Sequence, residues 1–260
     1  MMNGQPNGLG LFNGLRAFVG GIGFIVGTPS VWGYALVPVA MVLFLTAGFG
    51  ILGIWGASHV GDAVFGSYET WGHLGNWALT IILALAAVLF AILLAICLAQ
   101  PFSGFALEAI VSARENALTG WTNPRPGVLE STFRSLKIAV FTLSVAVPVF
   151  GALFLINFVF PAALVITLPL KFLLYAWLLA WNFLDYPLGI HRFGLRARWR
   201  WVMRHFDAFC GFGLSWAVLG LIPGIILVLL PMGVAGAAEL VVEAEQTAND
   251  EGERRLDFAD

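Results

Sequence analysis

Long apolar stretches alternate with short polar segments along this chain. Four stretches contain no Asp, Glu, Lys or Arg, at residues 17–61, 70–107, 138–170 and 208–238. About 20 apolar residues in a helix cross the roughly 30 Å hydrocarbon layer of a bilayer, whereas a membrane strand alternates over about ten residues. The stretches here do not alternate. The pattern therefore predicts an all-α integral membrane protein, in agreement with a charged fraction of only 11%.

Two of these stretches predict long transmembrane helices that form a hairpin, at residues 34–57 and 77–99. The second helix carries a stripe of small residues at every fourth position, formed by Ala87, Ala91, Ala95 and Ala99. Gly53 and Ala57 offer a similar surface on the first helix. Small residues let two helices approach closely. The stripe packs either within the chain or against a second copy, and packing within the chain is the simpler interpretation.

The last apolar stretch predicts a re-entrant hairpin, which enters the membrane without crossing it. Pro223 and Gly224 lie at its middle. Each arm then has about 15 residues and spans roughly 22 Å as a helix, which is less than the hydrocarbon thickness. Residues 138–184 also leave and return on one side. Three prolines interrupt that segment, at Pro148, Pro161 and Pro169, so its full crossing stays open.

Basic residues are unevenly distributed between the polar segments. Residues 58–76 contain no Lys or Arg, whereas residues 100–137 contain four and residues 185–207 contain five. Because Lys and Arg mark cytoplasmic loops, we expect a multi-pass protein of the bacterial inner membrane with both termini in the cytoplasm. Residues 1–240 are expected to form a single membrane domain. Residues 241–260 are acidic and predict a disordered cytoplasmic tail.

Residues 188–206 predict an amphipathic helix that lies in the membrane interface. Arginines recur at four-residue spacing along one face, at Arg192, Arg196, Arg200 and Arg204. Tryptophans such as Trp199 suit the headgroup boundary, and the arginines suit anionic lipid phosphates. Alternatively, the arginines form an entry funnel for an anion. Residues 101–118 form a second amphipathic segment with the same two interpretations, and Asp185 either forms a turn or pairs with a nearby arginine.

No residue pattern supports enzymatic chemistry. The histidines fall in two pairs on opposite predicted sides of the membrane, and no catalytic triad, HExxH or phosphate-loop spacing is present. Cys97 and Cys210 lie in apolar stretches without metal-ligand spacing. We therefore expect no metal, cofactor or nucleic-acid partner. The Gly20-Gly21-Ile22-Gly23 run is better explained by close helix packing than by nucleotide binding.

Several short motifs, taken in their order, resemble the bacterial CysZ-type sulfate permease family, which includes the etoposide-induced-protein domain. They are Gly14-Leu15-Arg16, residues 29–38, Gln100-Pro101-Phe102, Asp185-Tyr186-Pro187 followed by the basic helix, Gly211-Phe212-Gly213, Ile222-Pro223, Pro231 and residues 233–237. The resemblance covers most of the chain.

This resemblance implies two long spanning helices, partly penetrating hairpins and assembly into dimers or larger oligomers. It also implies a permease or channel for sulfate or a related oxyanion, supporting sulfate uptake for cysteine biosynthesis. In sulfate-transporting members of the family an arginine pair commonly follows a proline near the first span, where this chain reads Val31-Trp32-Gly33-Tyr34. Arg16 is the only Lys or Arg before the first predicted span, so Gly14, Leu15 and Arg16 of the matching motif are the candidate anion-binding residues. The competing hypothesis is a membrane scaffold or lipid-interacting protein without transport.

Overall fold

The regular structure of the described chain is helical throughout. The computed structural model describes residues 8–65, 70–120, 127–222 and 225–257. Within those residues the α-helices are α1 Leu11–Gly27, α2 Trp32–Ala35, α3 Val37–Phe65, α4 Thr70–Phe102, α5 Gly104–Thr119, α6 Val128–Val159, α7 Leu164–Ile190, α8 Leu195–Arg204, α9 Phe206–Gly220 and α10 Ile226–Asp257. Short 3₁₀ turns at Pro29–Val31 and Pro161–Ala163 precede α2 and α7. The all-α prediction is confirmed.

Within the part of the chain that the structure describes, five helical segments are long and apolar enough to cross a membrane. They are Pro29–Val64, Gly75–Phe102, Thr142–Val159, Pro161–Ile190 and Leu227–Asn249. The first four are only 6 to 17% buried, as expected of helices that face lipid, whereas the last is 72% buried. The chain is thus a multi-pass membrane protein, in which the apolar surface of α10 serves mainly to pack against other helices.

Residues 36–103 form one compact unit, in which α3 and α4 pack side by side. Three alanines of the stripe, Ala91, Ala95 and Ala99, are buried. A Cβ atom added to Gly53 would lie 2.7 Å from the Cβ of Ala87, so the two helices approach closely there. The stripe therefore packs within the chain, as the simpler interpretation predicts.

The second compact unit contains α1, α2 and the helices from α5 onwards. In this unit α1 packs against α9 and α10, while α7 packs against α9, and α10 also contacts α5 and α7. Phe183, Phe212 and Trp216 are fully buried and meet edge to face, with ring centroids 5.6 to 6.3 Å apart. Such pairs add to the stability from buried area, and they hold α7 against α9.

The prolines interrupt the helices less than their positions predict. Pro148 lies inside α6 and Pro169 inside α7, whereas the chain between these helices breaks at Phe160 and Pro161. A proline removes one helical hydrogen bond, and a long apolar helix tolerates this loss where neighbouring groups compensate. The predicted breaks at Pro148 and Pro169 are therefore wrong, and the break at Pro161 is confirmed.

The two predicted amphipathic segments also differ from expectation. The basic helix is only α8, because α7 continues to Ile190 and a turn follows. Segment 101–118 corresponds largely to α5, whose central residues are buried within the second unit, so it is a core helix instead of a surface helix. Its Glu108 and Glu115 are almost inaccessible to solvent.

The hairpin predicted at residues 208–238 is only partly described. Helix α9 has 15 residues, which matches the short arm. Pro223 and Gly224 lie outside the described residues, so the re-entrant turn stays a prediction. The acidic composition predicts disorder after residue 240, but α10 passes this point without a break and runs to Asp257. Val241 and Val242 are buried there, because they continue the apolar face of the helix.

Candidate functional site

The candidate anion-binding residues lie in the first two turns of α1. Gly14 is buried against the backbone of α9, where an added Cβ would meet the Ala208 carbonyl and the Phe212 amide. Leu15 is exposed. The side chain of Arg16 is 75% exposed, and its Nη1 lies 3.9 Å from Oε1 of Glu243. Gly14 therefore serves packing, and Arg16 presents an accessible charge with one loose acidic partner.

Glu243 is held by a stronger partner than Arg16. The Asn13 side-chain amide donates a hydrogen bond of 2.7 Å to Glu243 Oε1, which joins α1 to α10. One turn earlier on α10, Glu239 accepts a 2.5 Å hydrogen bond from Nη2 of Arg114 on α5. Both side chains of this second pair are more than four-fifths buried. Glu239 and Glu243 of α10 are therefore each anchored by a specific donor.

Arg114 is further enclosed by α1. Its guanidinium lies 5.0 Å from the centroid of the Phe24 ring, a cation–π distance. A Cβ atom on Gly20 would collide with the Glu239 carboxylate, so only glycine leaves room for that carboxylate. Two glycines of the run predicted to serve close packing do so, since Gly21 also faces the backbone of Met232 and Gly236, whereas Gly23 has no neighbour within 4 Å.

His191 lies just after α7, between two carboxylates. Its Nε2 is 3.0 Å from Oε1 of Glu115, and its Nδ1 is 3.1 Å from Oε1 of Glu245. A neutral imidazole has only one N–H donor, so two carboxylate partners require the doubly protonated ring. The hydrogen bonds to Glu115 and Glu245 raise the pKa of His191 from 6.5 to about 10. His191 therefore carries a permanent positive charge near neutral pH.

His205 has the opposite character. It lies between α8 and α9, where burial and the neighbouring charge of Arg204 lower its pKa. The Leu9 backbone amide donates a 3.1 Å hydrogen bond to His205 Nδ1, which requires an unprotonated nitrogen. A neutral His205 thus ties the segment before α1 to the corner of α8 and α9.

The arginines of the basic helix do not act as a single row. Arg192 lies in the turn before α8 with a backbone φ of 57°, and Arg204 lies in the last turn of α8. Arg196 and Arg200 line a cavity of about 800 Å³ between α6, α7 and α8. Arg198, outside the four-residue spacing, forms a buried ion pair with Asp185. The ion-pair alternative for Asp185 is thus the one observed.

The acidic partners on α10 were not predicted from the sequence, because the net charge after residue 239 suggested a solvated tail. A local signal was present. Leu240, Val241 and Ala244 are apolar residues at helical spacing between Glu239, Glu243 and Glu245, and all three are buried. Apolar and acidic residues interleaved in this way indicate a helix with one packed apolar face, and the acidic residues lie at the edge of that face.

The chain matches the family model described as Sulfate transporter CysZ/Etoposide-induced protein 2.4 over residues 17–231. It is 29% identical to the sulfate transporter CysZ of Pectobacterium atrosepticum, over 84% of this chain and 81% of that protein. It is 28% identical to the protein of the same name from Pseudomonas paraeruginosa and 27% identical to that from Pseudomonas aeruginosa. Both matches cover 88% of this chain and 92% of the relative.

Proposed function

Because the chain belongs to the Sulfate transporter CysZ/Etoposide-induced protein 2.4 family, we propose that it is a membrane permease or channel for sulfate or a related small oxyanion. The observation that carries this proposal is the extent of the match, which covers 81 to 92% of relatives named sulfate transporters. The family model, at residues 17–231, includes four of the five candidate spans found among the described residues. We further propose that the activity supplies sulfate for cysteine biosynthesis.

We propose Arg16 as the first contact for the anion. Its guanidinium is exposed, and its distance of 3.9 Å to Glu243 is too long for a strong hydrogen bond. Asn13 already occupies the same oxygen of Glu243. The arginine can therefore turn toward an incoming oxyanion, which its planar group binds through two N–H donors. Gly14 places α1 against α9, and Leu15 borders the arginine on the exposed side.

We also propose where the protein is located and how it assembles, from its family membership, the distribution of its basic residues and its exposed apolar residues. The distribution of Lys and Arg favours a bacterial inner membrane protein with both termini in the cytoplasm. The exposed apolar residues of α1, such as Phe12 and Val19, favour assembly into a homo-oligomer. Membrane lipids would cover the remaining apolar surface.

Uptake of radiolabelled sulfate into proteoliposomes tests the proposed transport activity. We expect uptake above that of empty liposomes, with competition by molybdate stronger than competition by chloride. Competition by phosphate then shows how closely the site distinguishes tetrahedral oxyanions. No uptake of any anion, in vesicles where a known permease is active, would instead support the scaffold or lipid-interacting alternative.

Substitution of Arg16 tests the proposed anion contact. Charge-assisted hydrogen bonds are worth roughly 1.5–3 kcal/mol, so Arg16→Ala should reduce sulfate flux about tenfold or more. Arg16→Lys should retain part of the flux, because it keeps the charge without the bidentate geometry. Arg204→Ala is the matched control, since it removes one exposed arginine elsewhere. Equal flux in wild type and Arg16→Ala, at equal insertion, would remove Arg16 from the pathway.

A further inference from the structure

The cavity between α6, α7 and α8 has two chemically different walls. Three tryptophans line it, Trp177 and Trp181 on α7 and Trp199 on α8. The ring centroid of Trp199 lies 5.9 Å from that of Trp177 and 6.3 Å from that of Trp181. Arg196 and Arg200 lie at the side formed by α8. The volume of about 800 Å³ falls within the range of 300–1,000 Å³ that is typical of small-molecule sites.

The two arginines have no acidic partner among the described residues, in contrast to Arg114 and Arg198. Both are exposed. Thr142 on α6 lines the same cavity, and its hydroxyl is buried without a hydrogen-bond partner in the described structure. A buried hydroxyl without a partner costs free energy. The cavity therefore has two positive charges without an acidic partner at the α8 side and, at the α6 wall, a hydroxyl without a hydrogen-bond partner among the described residues.

The position of the cavity relates these features to a membrane. Thr142 begins one candidate span, and Trp177 and Trp181 belong to another, whereas α8 lies beyond both. Tryptophan is enriched where acyl chains meet headgroups, and arginines near that level attract anionic lipids. One end of the cavity thus suits an acyl chain, and the other suits a phosphate.

We propose that this cavity is a discrete binding site for an anionic phospholipid. The lipid phosphate lies against Arg196 and Arg200, and the Thr142 hydroxyl forms a hydrogen bond with the glycerol or ester oxygens. The part of the acyl chain next to the glycerol packs between the tryptophans. A free inorganic anion fits less well, because it would gain nothing from three indole rings. This site goes beyond the proposed transport function, and it can exist whether or not sulfate is carried.

Native mass spectrometry of the delipidated full-length protein in detergent can measure this site. The probe is phosphatidylglycerol, with phosphatidylcholine as the zwitterionic comparison that has no net charge. We expect one saturable phosphatidylglycerol site per chain, with affinity about tenfold above that for phosphatidylcholine, from two arginines near the headgroup. Equal affinity for the two lipids would overturn the proposal.

Two double variants separate a discrete site from general attraction to charge. Arg196→Gln/Arg200→Gln should lose the tenfold preference. Arg192→Gln/Arg204→Gln removes the same charge from residues that do not line the cavity, and it should bind phosphatidylglycerol within about twofold of wild type. If both double variants lose the preference equally, the attraction is diffuse and the proposal is wrong.

A third variant fills the cavity without changing the charge. Thr142→Trp/Val145→Trp keeps both arginines and adds two indole rings at the α6 wall, where Val145 is 45% exposed. We expect loss of the saturable site, with unchanged helical content by circular dichroism as evidence of folding. Unchanged binding in this variant would exclude the cavity. Displacement of the lipid by millimolar sulfate or phosphate would instead identify a site for free anions.

Discussion

Three largely buried acidic side chains of the second unit pair with basic side chains. Asp185 pairs with Arg198, Glu239 with Arg114, and Glu115 with His191. Removing a charge from water costs several kcal/mol, and a partner with good geometry offsets this cost. Loss of one partner leaves the other charge buried and uncompensated. Each of these pairs joins different helices of the second unit, so each should control how those helices dock.

The pair between Asp185 and Arg198 gives a prediction at this scale. Asp185→Asn leaves a guanidinium whose side chain is only 12% exposed without its carboxylate, so we expect a loss of about 3 kcal/mol in the free energy of unfolding. Denaturation in detergent, followed by circular dichroism, measures the loss. Asp185→Asn/Arg198→Met should recover part of it. Equal stability of Asp185→Asn and wild type would contradict a buried ion pair.

His191 predicts a pH dependence of stability. Its pKa rises from 6.5 to about 10 on folding, so the stabilising contribution is complete below pH 6.5 and is lost as the pH rises through 10. A pKa that differs by one between the folded and unfolded states corresponds to about 1.4 kcal/mol. Because Glu245 is 46% exposed and its charge is screened, we expect a loss of about 2 kcal/mol across this window.

Urea unfolding of wild type and His191→Gln at several pH values measures the contribution of His191. The difference in stability between the two proteins should shrink between pH 6.5 and 10. This comparison cancels the titration of other groups, which both proteins share. A difference that stays constant over the window would show that His191 does not hold its second proton.

At the scale of elements, glycines decide how closely α1 approaches α9 and α10. Gly14 faces the backbone of α9, and Gly21 faces the backbone of α10. Glycine disfavours a helix by about 1 kcal/mol relative to alanine, so this interface has a local cost. Close packing offsets the cost, as in other membrane helix pairs. The same relation holds between Gly53 and Ala87 in the hairpin of α3 and α4.

Two glycines of α1 allow a matched test. A Cβ at Gly21 would lie 2.6 Å from the Gly236 amide nitrogen, whereas a Cβ at Gly23 would meet nothing within 4 Å. Gly23→Ala should stabilise the protein by about 0.5–1 kcal/mol through helix propensity. Gly21→Ala should destabilise it by about 1–3 kcal/mol despite the same propensity gain. Thermal unfolding in one detergent compares them, and stabilisation by both would disprove the close approach.

At the scale of the whole molecule, the distribution of charge predicts which polar segments face the cytoplasm. The starting point for a test is a cysteine-free variant, Cys97→Ser/Cys210→Ala. A membrane-impermeant thiol reagent added to intact cells should label Ser67→Cys, because the segment at residues 58–76 lacks basic residues. Arg192→Cys, an exposed position after α7, should be labelled only after the cells are opened. The reverse labelling pattern would show that the protein is oriented the opposite way in the membrane.

The same background tests whether the last hairpin is re-entrant. An α9 of 15 residues spans about 22 Å, which is shorter than the hydrocarbon layer. Gly224→Cys should therefore stay unlabelled by a bulky impermeant reagent added outside intact cells. Labelling from outside at the rate of Ser67→Cys would show that the turn reaches the far surface.

Local residue patterns determined the all-α architecture, the hairpin of α3 and α4 and the break at Pro161. Apolar helices in a bilayer must satisfy their own backbone hydrogen bonds, so composition and run length suffice to recognise them. The alanine stripe was also readable, because residues four positions apart share one face of a helix. The candidate residue Arg16 came from a short motif, and its role stays a prediction.

Only the tertiary structure decided the partners of the charged residues and the place of each helix in the core. Glutamates of α10 contact Arg114, Asn13 and His191, which are between 54 and 230 positions away in the sequence. Local sequence patterns do not reveal contacts between residues so far apart. On α8, Arg198 pairs with the buried Asp185, whereas Arg196 and Arg200 line a cavity with α6 and α7. Helix propensity and net charge act locally, whereas pairing and cavities arise from how the helices pack.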